Sequence, residues 1–62
     1  MSVKRRDLIR YLENKGFYLL REGGNHSFYT NDKKVIPVKR HKQLDRITAN
    51  ELCKQAGLDP KF

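Results

Sequence analysis

His26 is the side chain in this sequence best suited to proton transfer. It follows Gly23-Gly24-Asn25 directly and opens an aromatic stretch. An ordinary imidazole pKa of about 6.5 allows it to take up and release protons at neutral pH. RNA carries its own nucleophile, the 2′-hydroxyl, so one histidine with nearby cations could cleave it slowly without a metal. Spacing alone favours another interpretation, a histidine packed at the core margin on the strand face of Phe28 and Thr30.

Basic residues form the second group that could act on a ligand. Residues 33–42 contain five Lys and Arg side chains and no acid. A solvated face is the simpler explanation for any single lysine, but the cluster at residues 39–42 favours phosphate contact. Within it, we expect His41 to contact phosphate or a base rather than to act as a catalyst. The candidate RNA-binding residues are Lys33, Lys34, Lys39, Arg40, His41, Lys42 and Arg5.

The remaining reactive side chains predict neither a metal nor a cofactor. Cys53 is the single cysteine, so no disulfide can form within the chain, which fits a reducing cytoplasm. It lies on a helical apolar stripe and is expected to be a small core residue. One cysteine and two distant histidines cannot complete a four-ligand zinc site without carboxylates or a second chain. The apolar runs are too short for a membrane span, and the basic start lacks the apolar segment of a signal peptide.

Two stretches have the periodicity of helices. Residues 4–15 predict the first helix, which ends at Gly16. The second begins at the apparent capping box Thr48-Ala49-Asn50-Glu51 and ends at Gly57. The expected buried positions are Leu8, Ile9 and Leu12 in the first helix, and Ala49, Leu52, Cys53 and Ala56 in the second.

Three strands are predicted between the helices. Residues 17–20, 26–30 and 33–38 are rich in aromatic and branched side chains and are separated by turn residues. Pro37 cannot donate to a neighbouring strand, so the third strand is expected at a sheet edge. Residues 39–46 are predicted to be a polar connection between the third strand and the second helix. The chain is therefore predicted to be an α+β protein with a three-stranded antiparallel sheet and two helices on one face, which leaves the other face or a rim for a ligand.

The size and charge of the chain limit the classes of function that it can have. Its 62 residues carry 14 Lys and Arg against 7 Asp and Glu, a formal net charge of +7. This length predicts one small domain over residues 1–62. The strong basic excess indicates a polyanionic partner, and nucleic acid fits best.

The order of several short motifs resembles the HicA toxin family (YcfA-like proteins). These motifs are Gly24-Asn25-His26, then Val35-Ile36-Pro37-Val38 before a basic loop, then Lys54-Gln55-Ala56-Gly57-Leu58. The resemblance implies a fold like that of double-stranded-RNA-binding domains and the activity of an mRNA interferase in a type II toxin–antitoxin pair. It also implies that His26 is catalytic and that a HicB-type antitoxin covers the active site. The chain differs from the family where it has Asn25 for a usual Ser and Ser27 for a frequent second His.

The resulting hypothesis is a cytoplasmic, metal-independent RNA endonuclease that arrests translation by cutting mRNA. We expect the free toxin to be a monomer without membrane contact. One alternative is a non-catalytic RNA-binding module of the same fold, which would bind RNA in a strongly salt-dependent manner without cleaving it. Another is an interaction protein whose basic face binds only an acidic protein, which would have no measurable affinity for RNA.

Overall fold

The computed structural model describes residues 2–62. Its elements are β1 (Ser2–Lys4), α1 (Arg5–Asn14), β2 (Tyr18–Glu22), β3 (His26–Thr30), β4 (Val35–Lys39), β5 (Gln43–Asp45) and α2 (Arg46–Gln55). Strands β2, β3 and β4 form a three-stranded antiparallel sheet with β3 in the middle, while β1 pairs with β5 in a separate two-stranded sheet. The predicted α+β class and the central α-β-β-β-α order are therefore confirmed.

Helix α1 lies one residue inside each end of the predicted range 4–15. It forms because Leu8 and Leu12 recur one turn apart on a face that is completely buried. Gly16 ends it as predicted, with a φ of +91° that favours glycine. The N–H of Phe17 then donates to the Leu12 carbonyl at 3.0 Å, which satisfies a free carbonyl of the last turn and directs Phe17 into the core.

The start of helix α2 differs from its prediction. The helix begins at Arg46, and the Asp45 carboxylate accepts a hydrogen bond from the Ile47 N–H at 3.1 Å. The expected capping box of Thr48 and Glu51 is therefore wrong. Asp45 leaves strand β5 in an extended conformation and directly precedes the helix, so it is the capping residue. Thr48 already lies within the first turn.

The end of helix α2 and its buried face match the prediction. Gly57 has a φ of +76°, and the N–H of Leu58 donates to the Cys53 carbonyl at 2.8 Å. Cys53 is completely buried. The helices and one face of the sheet share a single cluster of buried residues, which comprises Leu8, Leu12, Phe17, Tyr29, Ile36, Val38, Leu44, Leu52, Cys53 and Ala56. Neither described helix has the length and apolar character needed to cross a membrane.

Strands β2 and β4 are the edges of the larger sheet. Pro37 lies in β4, whose partner within the sheet is β3, so its predicted edge position is confirmed. The register of β2 shifts between Leu19 and Arg21, which leaves Leu20 as a bulge. Every residue of β2 is exposed, although the strand includes Tyr18, Leu19 and Leu20.

The two-stranded sheet was not predicted. Val3 of β1 pairs with Leu44 of β5, and both side chains are buried. Strand β5 falls in the stretch that read as a polar connection. The N–H of Arg5 donates to the Lys42 carbonyl at 2.8 Å. This pairing holds the start of α1 against the loop that follows β4.

Candidate functional site

His26 is the first residue of β3 and pairs in register with Lys39, the last residue of β4. Its carbonyl accepts a hydrogen bond from the Gly23 N–H at 2.8 Å, and the Arg40 N–H donates to the Asn25 carbonyl at 3.3 Å. These bonds close the glycine loop onto both strands. The His26 side chain is half-buried, and its ring centroid lies 6.4 Å from that of Phe28. The ring therefore has a packed neighbour and also remains accessible.

An open cleft of about 460 Å³ surrounds this histidine. The structure brings four predicted site residues to it, and its lining consists of Gly24, Asn25, His26, Lys39, Arg40 and His41. The side chains of Lys39 and Arg40 and the two imidazoles lie around one open space, and this arrangement suits an anion such as a phosphate.

The ring of Phe28 packs against the glycine loop at Gly23. A methyl group at Gly23 would lie 2.7 Å from Phe28 Cε2, closer than packed carbon atoms allow. Gly23 is therefore required for a close approach and not for an unusual backbone angle. The guanidinium carbon of Arg21 lies 4.3 Å from the centroid of the same ring, in a cation–π contact. The ring is thus held between its neighbours, which fixes the loop that precedes His26.

Ser27 connects the start of α1 to the sheet. Its side chain is 1% exposed, and its hydroxyl accepts a hydrogen bond from Arg5 Nη2 at 2.7 Å. The same hydroxyl donates to the carboxylate of Glu22. Arg5 Nε also donates to the Lys39 carbonyl at 2.9 Å. Arg5, a predicted RNA-binding residue, therefore also positions the end of β4.

Glu22 and Arg40 complete this network. Arg40 Nη2 lies 3.2 Å from Glu22 Oε1 and donates to the Gly23 carbonyl at 2.6 Å. The hydrogen bond from Ser27 lowers the pKa of Glu22, and the charges of Arg40 and Arg5 lower it further against an opposing effect of desolvation. The sequence did not identify Glu22 or Ser27, because only the strand register places them beside Arg5 and Arg40.

A second basic cleft lies beside the start of α1. It has a volume of about 420 Å³ and contains two more predicted RNA-binding residues, Arg5 and Lys42. Arg40 lines both clefts. The complete lining is Lys4, Arg5, Arg6, Arg40, Lys42 and Gln43.

Lys33 and Lys34 are not brought to either cleft. They lie in the turn between β3 and β4, next to the Thr30–Val35 pair and at the opposite end of the hairpin from His26. His26 and Thr30, at the two ends of β3, are four residue steps apart, a distance of about 13 Å. The Lys34 ammonium approaches the C-terminal end of α2, since a methyl group at Gly57 would lie 3.2 Å from Lys34 Nζ.

Cys53 has the core position that its place on the helical stripe predicted. Burial raises the pKa of its thiol, which keeps it protonated at neutral pH. Within residues 2–62, no three His, Cys, Asp or Glu side chains are grouped closely enough to hold a metal ion.

The fold and the site define a class of small α+β proteins in which a basic cleft with two histidines lies at the rim of a three-stranded sheet. Residues 5–58 match the family described as the HicA toxin of bacterial toxin–antitoxin, and the chain belongs to this family. Comparisons with curated proteins and with solved structures give no match. Membership assigns the chain the toxin role and implies an antitoxin as its partner.

Proposed function

We propose that the chain is an mRNA interferase, a metal-independent RNA endonuclease that uses His26 as its general base or acid. The observation that carries this proposal is the position of His26 in an open cleft that Lys39, Arg40 and His41 also line. The cleft combines a proton-transfer group with cations around a space open to an RNA strand.

The chemistry follows from what this cleft and RNA each supply. The His26 imidazole accepts the proton of a 2′-hydroxyl, whose oxygen attacks the adjacent phosphorus. The bond from phosphorus to the 5′-oxygen breaks, and that oxygen takes a proton from water or from the imidazolium. The products are a 2′,3′-cyclic phosphate and a 5′-hydroxyl. Lys39 and Arg40 stabilise the extra negative charge of the phosphorane.

The cations around the cleft have different roles in this proposal. The Lys39 ammonium has no ion pair among residues 2–62, so it offers a full charge to the scissile phosphate. Arg40 shares its charge with Glu22 and therefore contributes less. His41 is exposed and contacts phosphate or a base. Lys33 and Lys34 would bind only an RNA that extends along the hairpin to its far end.

The partner that controls this activity is proposed to be a HicB-type antitoxin. Family membership implies an antitoxin, and the open cleft is the surface that such a protein must cover to block RNA. An antitoxin with acidic side chains at the contact would complement Lys39, Arg40 and His41. The toxin would act in the cytoplasm, where mRNA is translated.

Expression of the wild-type chain and of His26→Ala tests the proposed toxin activity in cells. Wild type should arrest translation and fragment mRNA, while the folded variant should do neither. A folded His26→Ala protein that is equally toxic contradicts the catalytic assignment. RNA binding without cleavage by purified wild type would instead identify the non-catalytic RNA-binding module.

A further inference from the structure

The two basic clefts lie next to each other and share the side chain of Arg40. We propose that the second cleft binds another phosphate of the same RNA strand, and that Lys4 and Arg6 are RNA-binding residues. This inference rests on the proposed RNA endonuclease function and extends it to the path of the strand. A strand that leaves the His26 cleft past Arg40 enters the second cleft directly.

The second cleft has more uncompensated positive charge than the first. Within residues 2–62, neither Lys4 nor Lys42 forms an ion pair. Arg6 approaches Asp7 at 4.0 Å, but both side chains are largely exposed, at 72% and 48%, so solvent screens this pair. Among the residues that the structure describes, no acidic side chain lines the cleft. A phosphate there would meet several cations at once, which is the arrangement that releases counterions on binding.

The positions of the two clefts are held relative to each other by the backbone. Lys4 pairs with Gln43 in the two-stranded sheet, and the Arg5 N–H donates to the Lys42 carbonyl at 2.8 Å. The Arg5 guanidinium donates to the Lys39 carbonyl at 2.9 Å. Both walls of the second cleft are thus attached to the segment that carries Lys39 and Arg40. A second phosphate site at a constant offset from the first therefore adds to the binding of the same strand without changing the groups around His26.

The double variant Lys4→Gln/Arg6→Gln tests this site, because both side chains are exposed and neither is part of the core. The matched control is Lys15→Gln/Lys54→Gln, which removes the same charge from other surfaces. Steady-state cleavage of a short oligoribonucleotide should show KM raised roughly tenfold in the test variant, with kcat nearly unchanged. The slope of log KM against log salt should fall by about 0.7 for each lost phosphate contact. The control should resemble wild type.

Neutral methylphosphonate linkages locate the bound phosphate. Each oligoribonucleotide carries one such linkage at a different position. At one position beside the cleavage site, the neutral linkage should raise the KM of wild type. The same linkage should have little further effect on the KM of the Lys4→Gln/Arg6→Gln variant. The proposal is overturned if the test variant and the control have equal KM values and salt slopes. It is also overturned if the test variant keeps its KM but loses affinity for the antitoxin, which would assign the cleft to the protein partner. In both cases wild type still cleaves RNA; if it neither binds nor cleaves, the proposed endonuclease function itself is wrong.

Discussion

His26 depends on its neighbours for its position more than on any contact of its own ring. The Gly23 N–H holds its carbonyl, and the register of β3 and β4 places it opposite Lys39. Ser27, the next residue in β3, faces the interior and is 1% exposed. It joins Arg5 to Glu22, which is a structural role.

Glu22→Gln should reveal this network through the pH dependence of stability. The pKa of Glu22 lies below its usual 4.5 in the folded protein, so ionisation of the carboxylate favours folding. Wild type should be more stable than the variant at pH 7. The difference should disappear as the pH falls below 4.5 and through the lowered pKa of the folded protein.

Thermal unfolding at a series of pH values measures this difference. Glu51→Gln is the control, since Glu51 pairs with Lys54 at 3.6 Å on an exposed surface and should contribute little. A Glu22→Gln protein as stable as wild type at pH 7 would contradict the role given to the network.

Gly23→Ala should destabilise the protein because its new methyl group would overlap the Phe28 ring at 2.7 Å. We expect a loss of about 1–3 kcal/mol in the free energy of unfolding, measured with urea, together with slower RNA cleavage as the loop shifts. Gly24→Ala is the matched control, because a methyl group there meets no atom within 4 Å. Equal stability of the two variants would show that Phe28 does not support the loop.

At the scale of elements, the sequence predicted most features that depend on local chemistry, but it misplaced the cap of α2. Gly16 and Gly57 end the helices as expected because each adopts a positive φ. The three longer strands were predicted from their composition. Strands β1 and β5 were missed because three residues are too few for an alternating pattern, and their pairing joins residues about 40 positions apart. The network of Arg5, Ser27 and Glu22 was not predicted for a similar reason, because it depends on a contact between Arg5 and Ser27, which are distant in the sequence.

The corrected start of α2 predicts which side chain stabilises it. Asp45→Ala should lower the free energy of unfolding by about 1 kcal/mol, because it removes the acceptor for the Ile47 N–H. Thr48→Ala should have a much smaller effect, since Thr48 lies inside the helix. Urea unfolding of both variants decides the point. A larger loss of unfolding free energy for Thr48→Ala than for Asp45→Ala would support the capping box of Thr48 and Glu51 instead.

At the scale of the whole molecule, a net charge of +7 on 62 residues is carried by shallow surfaces and not by a deep pocket. Six lysine and arginine side chains lie along the two adjoining clefts, while Lys33 and Lys34 are at the other end of the hairpin. The charge excess that indicated a polyanionic partner thus lies largely beside the candidate catalytic histidine. This arrangement suits a substrate that brings its own nucleophile.

RNA and the antitoxin should compete for this surface. Addition of an equimolar antitoxin should abolish RNA binding, and excess RNA should slow formation of the protein complex, because we propose that both partners use the His26 cleft. Fluorescence anisotropy of a labelled oligoribonucleotide measures the competition. A stable ternary complex with unchanged affinity for RNA would place the antitoxin on another surface.

The most direct test of the central claim is the rate of RNA cleavage by purified wild type and His26→Ala in the presence of EDTA. We predict that wild type cleaves and produces 2′,3′-cyclic phosphate ends. The folded variant should be slower by about 10²- to 10⁴-fold. Equal rates for the two proteins, or cleavage by wild type only after a divalent cation is added, would contradict the account.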